Sequence, residues 1–216
     1  MTAVGFDLDM TLIDSRPGIA AAFRELTART GVHVDADLAV TRLGPPLRTE
    51  LAHWFPPEDV ETAVTTYRGL YPDYAIEPSV AMPGAAEALA AARELGLRVV
   101  VVTSKLGRLA EIHLKHLGLT ADEVAGDLFA EAKGAALTEH GVGWYVGDHI
   151  GDMIAAQTAG VPGIGVTTGP CDPDELRAAG ASYVLEDLTG LPELLRRITI
   201  GTARDGSIAL RPRSSE

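Results

Sequence analysis

The run Arg98-Val99-Val100-Val101-Val102-Thr103 constrains the fold more than any other stretch of the chain. Its β-branched residues favour extended backbone, and apolar and polar positions do not alternate along it. A strand of that kind is buried on both faces, as in a parallel sheet covered by helices. Four more segments read as strands: Ala3 to Phe6, ending at Asp7; Trp144 to Val146, ahead of Gly147-Asp148; Gly163 to Thr167; and Ser182 to Leu185. Helical patterns separate them. Between Gly84 and Leu95, the residues Ala85, Ala88, Leu89, Ala92 and Leu95 recur at helical spacing, and Gly96 stands where a helix terminator is expected. Leu106 to Leu117, Glu131 to His140, Ile150 to Ala159 and Leu191 to Ile198 read as further helices. This alternation predicts an α/β, doubly wound parallel-sheet (Rossmann-like) core, with ligands beyond the carboxyl ends of its strands.

Residues 15–82 break the alternation and contain no convincing strand. Ile19, Phe23 and Leu26 mark one helix; Asp37 to Leu43 and Leu47 to Trp54 suggest two shorter ones around Gly44-Pro45-Pro46; Glu58 to Tyr71 suggests a fourth. The expected organisation is a core built from residues 1–14 and 83–200, an inserted all-helical cap over 15–82, and a loose tail over 201–216, which is polar and aperiodic.

The formal net charge is −12, a surface that repels phosphate backbones and argues against nucleic acid as a partner. A small phosphorylated metabolite stays compatible with it, because a divalent cation reverses the field locally. The one cysteine, Cys171, allows no disulfide within the chain, and no activating His or Lys stands beside it. No signal-peptide pattern and no membrane-length apolar run is seen, so a cytoplasmic protein, monomer or homodimer, is expected.

Four places carry chemistry. Asp7-Leu8-Asp9-Met10-Thr11 puts two carboxylates at the end of the first strand, where one can act as nucleophile and the other as general acid and base. Gly147-Asp148-His149-Ile150-Gly151-Asp152 follows another strand; Gly147 permits a tight turn there, and Asp148 and Asp152 would face the same crevice. Four carboxylates near one point repel unless a cation sits among them, and Mg2+, a hard ion that favours oxygen ligands, is the natural candidate. Thr103-Ser104-Lys105 offers hydroxyls and backbone N–H groups to phosphate oxygens at a strand-to-helix turn. Lys133 stands near the start of a helix. Helix capping and simple solvation compete with each reading taken singly.

In this order, Asp7-x-Asp9-x-Thr11, Thr103, Lys133 and Gly147-Asp148-x-x-x-Asp152 resemble the four motifs of the haloacid dehalogenase superfamily. The helical insertion resembles the cap of its phosphoglycolate phosphatase and β-phosphoglucomutase branch. The resemblance covers residues 1–198 and implies a Mg-dependent phosphoric monoester hydrolase. Asp7 would be the nucleophile, and Asp9 would protonate the leaving oxygen and then activate water. Thr103, Ser104 and Lys133 would bind the phosphoryl group. The metal would be held by Asp7, the Asp9 carbonyl and Asp148, with Asp152 orienting metal-bound water. A phosphomutase uses the same residues, and a non-catalytic phosphoacceptor module groups similar ones on a shorter chain. Met10 stands where many members have Gly, and is expected to bring a thioether beside the substrate entrance. Arg48, after the Gly44-Pro45-Pro46 turn, is the candidate for an anionic substrate group; a solvated surface arginine is the competing reading.

Overall fold

The computed structural model describes residues 3–205, with side chains described up to residue 199. β1 (Ala3–Phe6) is followed by the short β2 (Ile13–Asp14) and then by α1 (Arg16–Thr30), α2 (Ala36–Ala39), α3 (Leu47–Leu51) and α4 (Val60–Tyr74). After β3 (Val80–Ala81) come α5 (Ala85–Glu94), β4 (Arg98–Val102), α6 (Gly107–His116), β5 (Glu123–Ala125) and α7 (Glu131–Glu139). The chain closes with β6 (Val142–Gly147), α8 (Ile150–Ala159), β7 (Gly163–Val166), α9 (Pro173–Ala178), β8 (Ala181–Leu185) and α10 (Leu191–Asp205).

Six strands form one parallel sheet in the order β5-β4-β1-β6-β7-β8. The valine run behaves as its pattern requires. Val99 and Val101 pack into one apolar cluster, with Phe6, Leu89 and Leu114, while Val100 and Val102 pack into another, with Leu137, Tyr145 and Ala155. Each face of β4 is thus covered over Val99 to Val102, and only Arg98 at its start is partly exposed and paired with Glu123.

Helices α1 to α4 enclose an apolar core of their own, in which Phe23, Leu26, Leu51, Val64 and Tyr67 are buried; Leu109 of α6 joins it. Proline near the start of α1 and Gly31 at its end, with φ of 73°, bound that helix. The two chain crossings into this helical group are tied together. β2 and β3 pair antiparallel, Ile13 with Ala81 and Asp14 with Val80. The sequence reading found no strand in this region, because two-residue strands carry no periodicity.

Two other expectations change. α10 runs on to Asp205, so the tail expected from Gly201 begins as helix; residues 206–216 lie outside the described residues. Met10 does not reach the substrate entrance. It is 2% exposed and packed in the core cluster beside Phe6 and Leu12. Its backbone has φ of 63°, held by Met10 N–H donating to the Ile13 carbonyl at 2.8 Å and by Thr168 Oγ1 donating to the Met10 carbonyl at 2.5 Å. The left-handed conformation costs a non-glycine residue about 1–2 kcal/mol, but removing a buried methionine side chain costs about 2–5 kcal/mol. Packing therefore outweighs strain. Met10→Gly should destabilise the protein by about 1–3 kcal/mol, read as a lower urea midpoint; an unchanged or higher midpoint would show that the strain dominates.

Candidate active site

Strand register brings the motifs together. Phe6 is level with Val101 of β4 and Val146 of β6, so Asp7, Thr103 and Asp148 all emerge at one carboxyl edge of the sheet. Asp7 N–H still donates to the Val146 carbonyl at 2.8 Å, which fixes the residue as an extension of β1. β1 lies where the strand order reverses, the place where open α/β sheets form a crevice. Asp7, Thr103, Lys133, Asp148 and Asp152 are all buried.

The carboxylates of Asp7, Asp148 and Asp152 each offer an oxygen within 4.8 Å of the others. Lys133, in the first turn of α7, reaches between two of them: Nζ donates to Asp7 Oδ1 at 2.9 Å and to Asp152 Oδ1 at 2.7 Å. Thr11 Oγ1 donates to Asp148 Oδ1 at 2.7 Å. Asp152 also accepts from the His149 N–H at 3.1 Å, while the His149 ring accepts from Gly151 N–H, a reciprocal cap on α8. Tyr145, buried beneath, donates to the Val102 carbonyl at 2.6 Å.

Two glycines make room for these acids. A Cβ on Gly147 would overlap the Asp152 carboxylate, and one on Gly169 would overlap Asp148 Oδ2. Gly147 is thus required for close approach; its φ is not positive, so the expected tight-turn role is not the reason.

The electrostatics are those of an acid cluster short of positive charge. Burial, followed by the nearby Asp152 and Asp9, raises the Asp7 carboxyl to about 7 despite the opposing pull of Lys133. Burial also raises Asp148 well above the usual carboxylate range, with Asp152 and Asp7 adding to it. Burial works against the charged Lys133, but Asp152 and Asp7 overcome it and hold the ammonium well above its ordinary pKa. One ammonium among three buried carboxylates leaves an excess of negative charge on hard oxygen donors. That donor set fits a magnesium ion.

Asp9 belongs to a second network. Lys105 Nζ donates to Asp9 Oδ1 at 2.6 Å and to the Tyr71 hydroxyl at 2.6 Å, and Ser15 Oγ also donates to Asp9 Oδ1. Burial alone would raise Asp9, but Lys105 and Ser15 more than offset it and its pKa is lowered. Tyr71 OH lies 3.0 Å from His113 Nε2. Which of the two groups donates depends on the imidazole tautomer, and His113 Nδ1, buried, has no hydrogen-bond partner among the described residues. Burial, then Lys105, lowers His113 to about 3, so the ring is neutral.

No sequence pattern marks Lys105, Tyr71 or His113 individually as site residues, and Ser15 is expected only at the hinge of the cap. Lys105 belongs to the Thr103-Ser104-Lys105 turn, but Tyr71 and His113 sit on α4 and α6 and meet only in three dimensions. Thr103 accepts from the Lys105 N–H at 3.2 Å. Ser104 lines the cleft and its Oγ donates to the Gly44 carbonyl at 3.0 Å, bridging core and helical group. Arg48 is placed elsewhere: it pairs with Glu61 on the exposed surface and does not line the cleft. The α3 turn that carries it faces α4 instead, and the cleft's arginines are Arg42 and Arg68.

A family model described as haloacid dehalogenase-like hydrolase matches residues 4–157, and a second, HAD-hydrolase-like model matches residues 129–191. The tyrosine-protein kinase PtkA of Mycobacterium tuberculosis is 36% identical over 115 residues, covering 53% of this chain and 40% of that protein. The chain thus spans about two fifths of that relative's length. A phosphoglycolate phosphatase of Cupriavidus necator is 31% identical, covering 90% of this chain and 93% of the relative. The crystal structure of a "predicted phosphatase" from Clostridium acetobutylicum superposes with a TM-score of 0.79 at 27% identity, covering 91% of this chain and 98% of the other. With an acid cluster at the switch point of a parallel sheet, and a family model spanning most of the chain, this protein belongs to the haloacid dehalogenase-like hydrolases.

Proposed function

We propose that the protein is a phosphatase that hydrolyses a small phosphate monoester through a phosphoaspartate on Asp7. The observation that carries this reading is the position of Asp7: a buried carboxylate at the strand edge, bonded to Lys133 and opening on the cleft between the sheet and helices α1 to α4. In the first step an Asp7 oxygen forms a bond to phosphorus while the ester P–O bond breaks, and Asp9 gives a proton to the departing alkoxide. In the second, Asp9 takes a proton from water, water oxygen bonds to phosphorus, and the bond to Asp7 breaks, which releases phosphate and restores the carboxylate.

The Lys133 ammonium and the Thr103 turn offset charge on the transferring phosphoryl group, which lets an anionic nucleophile approach an anionic substrate. Asp7, the Asp9 carbonyl and Asp148 would hold Mg2+, with Asp152 supporting it. When bound, the ion supplies Lewis-acid neutralisation of the phosphoryl charge. In the substrate-free cleft Asp9 is an ionised carboxylate paired to Lys105, so its work as an acid requires that pair to open and Asp9 to take up a proton before the leaving oxygen departs. Helices α1 to α4 act as the cap, hinging at the β2–β3 pair and excluding water when closed.

Turnover of p-nitrophenyl phosphate should require magnesium. Exhaustive EDTA treatment should remove it and added magnesium should restore it; full activity in EDTA would contradict the metal assignment. A second measurement needs no substrate. Asp7 in the metal-free fold holds its proton up to about pH 7, against an ordinary value of 3.8. Between those values the folded state binds more protons than the unfolded one, so Asp7 makes metal-free stability fall as pH rises through that window. A cation that neutralises the cluster cancels this loss. Magnesium should therefore raise the melting temperature strongly above pH 7 and little near pH 4, and an equal rise at both would contradict the site.

A further inference from the structure

The cleft above Asp7 and Asp9 carries three cations in its wall, and each is already matched with a carboxylate. Arg42 donates to Glu50 through Nε at 3.0 Å and through its terminal nitrogen at 2.5 Å. Arg68 donates to Asp127 at 2.7 Å. Lys105 is bound to Asp9 and to Tyr71 as described. The remaining wall is largely apolar: Ile19 and Phe23 from α1, Leu43 and Leu47 beside the Gly44 turn, Leu106 and Leu109 from α6. Tyr67 also lines it, and its hydroxyl makes no hydrogen bond among the described residues. The cavity volume is about 90 Å³. At about 10–15 Å³ for each water by that measure, the space suits a body the size of a single ring.

Resting on the phosphatase reading, we infer that the substrate is the phosphate monoester of an uncharged, mainly apolar alcohol the size of a single ring, and that a carboxylate-bearing leaving group is disfavoured. A second carboxylate on the substrate would lie against largely apolar walls, in competition with a protein carboxylate for each cation there. Asp127 is exposed and can return to water at little cost, but displacing the more enclosed Glu50 or Asp9 from its partner leaves a carboxylate stripped of its ion pair in a less solvated place. A neutral ring or branched chain meets no such penalty, and a single hydroxyl or ether on it can be received by Tyr67. The paired arginines are thus part of the selectivity, because Glu50 occupies the cation that a small diacid would need.

The test compares benzyl phosphate with 2-phosphoglycolate, under magnesium, by phosphate release. Both leaving groups are alkoxides, so the comparison reports on binding more than on leaving-group ability. The wild-type protein should favour benzyl phosphate in kcat/KM by at least about tenfold. Glu50→Gln, which releases Arg42, should lower that ratio by about tenfold, mainly through a smaller KM for 2-phosphoglycolate. Equal or better use of 2-phosphoglycolate by the wild type would overturn the inference while leaving the phosphatase intact. A ratio unmoved in a folded Glu50→Gln protein would overturn the part assigned to Arg42. No phosphate release from either ester, or from p-nitrophenyl phosphate, would overturn the phosphatase reading itself.

Discussion

Asp7→Asn is expected to abolish turnover of every phosphate ester. An amide oxygen is a poor nucleophile, and among the described residues no other carboxylate stands in the same relation to Lys133 and the cleft: Asp148 is engaged by Thr11, and Asp152 caps α8. The fold should survive. Asp7 is a buried carboxylate raised to about 7, so a neutral side chain of the same shape removes a desolvation cost as well as an ion pair. The variant should melt at or above the wild-type temperature in metal-free buffer at pH 8, while phosphate release falls to the background rate. Stability and activity thus move in opposite directions, which separates loss of the nucleophile from loss of the fold. Wild-type turnover by this variant would end the phosphoaspartate mechanism.

Asp9→Asn is expected to give a graded loss that depends on the leaving group. An alkyl ester departs as a basic alkoxide and needs a proton, whereas p-nitrophenolate leaves well without one. General acid–base help is worth about a hundred- to ten-thousand-fold. Phosphoenzyme formation should therefore fall by an amount in that range with benzyl phosphate and much less with p-nitrophenyl phosphate. The second step still lacks its base, so the aryl ester should show a burst followed by slow turnover. The substitution also breaks the ion pair with Lys105 and frees that ammonium, which can bind the substrate phosphate more tightly and lower KM. Rapid-quench kinetics with both esters measures this directly. Equal losses for the two would remove Asp9 from the role of acid.

Much of the fold was legible because burial writes itself into sequence. The four consecutive valines announced a strand covered on both faces, and Val99 and Val101 do face a different cluster from Val100 and Val102. Long amphipathic helices were equally clear; α8 runs from Ile150 to Ala159, as its pattern implied. Short elements were not. β5 has three half-buried residues and begins with Glu123, so it has neither the length nor the apolar run of its neighbours. α9 spans six residues, too few for periodicity, although its Asp172–Glu175 capping box was readable as a helix start.

The acids of the site were legible for a different reason. Asp7, Asp9, Asp148 and Asp152 each stand at a fixed spacing after a strand, and parallel register gathers strand ends at one edge. Residues that reach the cleft from helices had no such rule. Lys105, Tyr71 and His113 form one chain of hydrogen bonds from three separate segments, and nothing local marks them. Arg48 shows the converse. The turn at Gly44-Pro45-Pro46 does approach the cleft, with Gly44 bound to Ser104, but one residue beyond Leu47 the side chain points to Glu61 and solvent.

The central claim is that Asp7 itself becomes phosphorylated. The Asp9→Asn variant, turning over p-nitrophenyl phosphate with magnesium, should accumulate the intermediate because its hydrolysis is slowed. Acid quench followed by borohydride reduction converts a phosphoaspartate to homoserine, and peptide mass spectrometry then locates the change. The account predicts homoserine at position 7, dependent on substrate and magnesium. Sustained phosphate release during the same reaction, with Asp7 unmodified at every quench time or with homoserine at another aspartate, would contradict it.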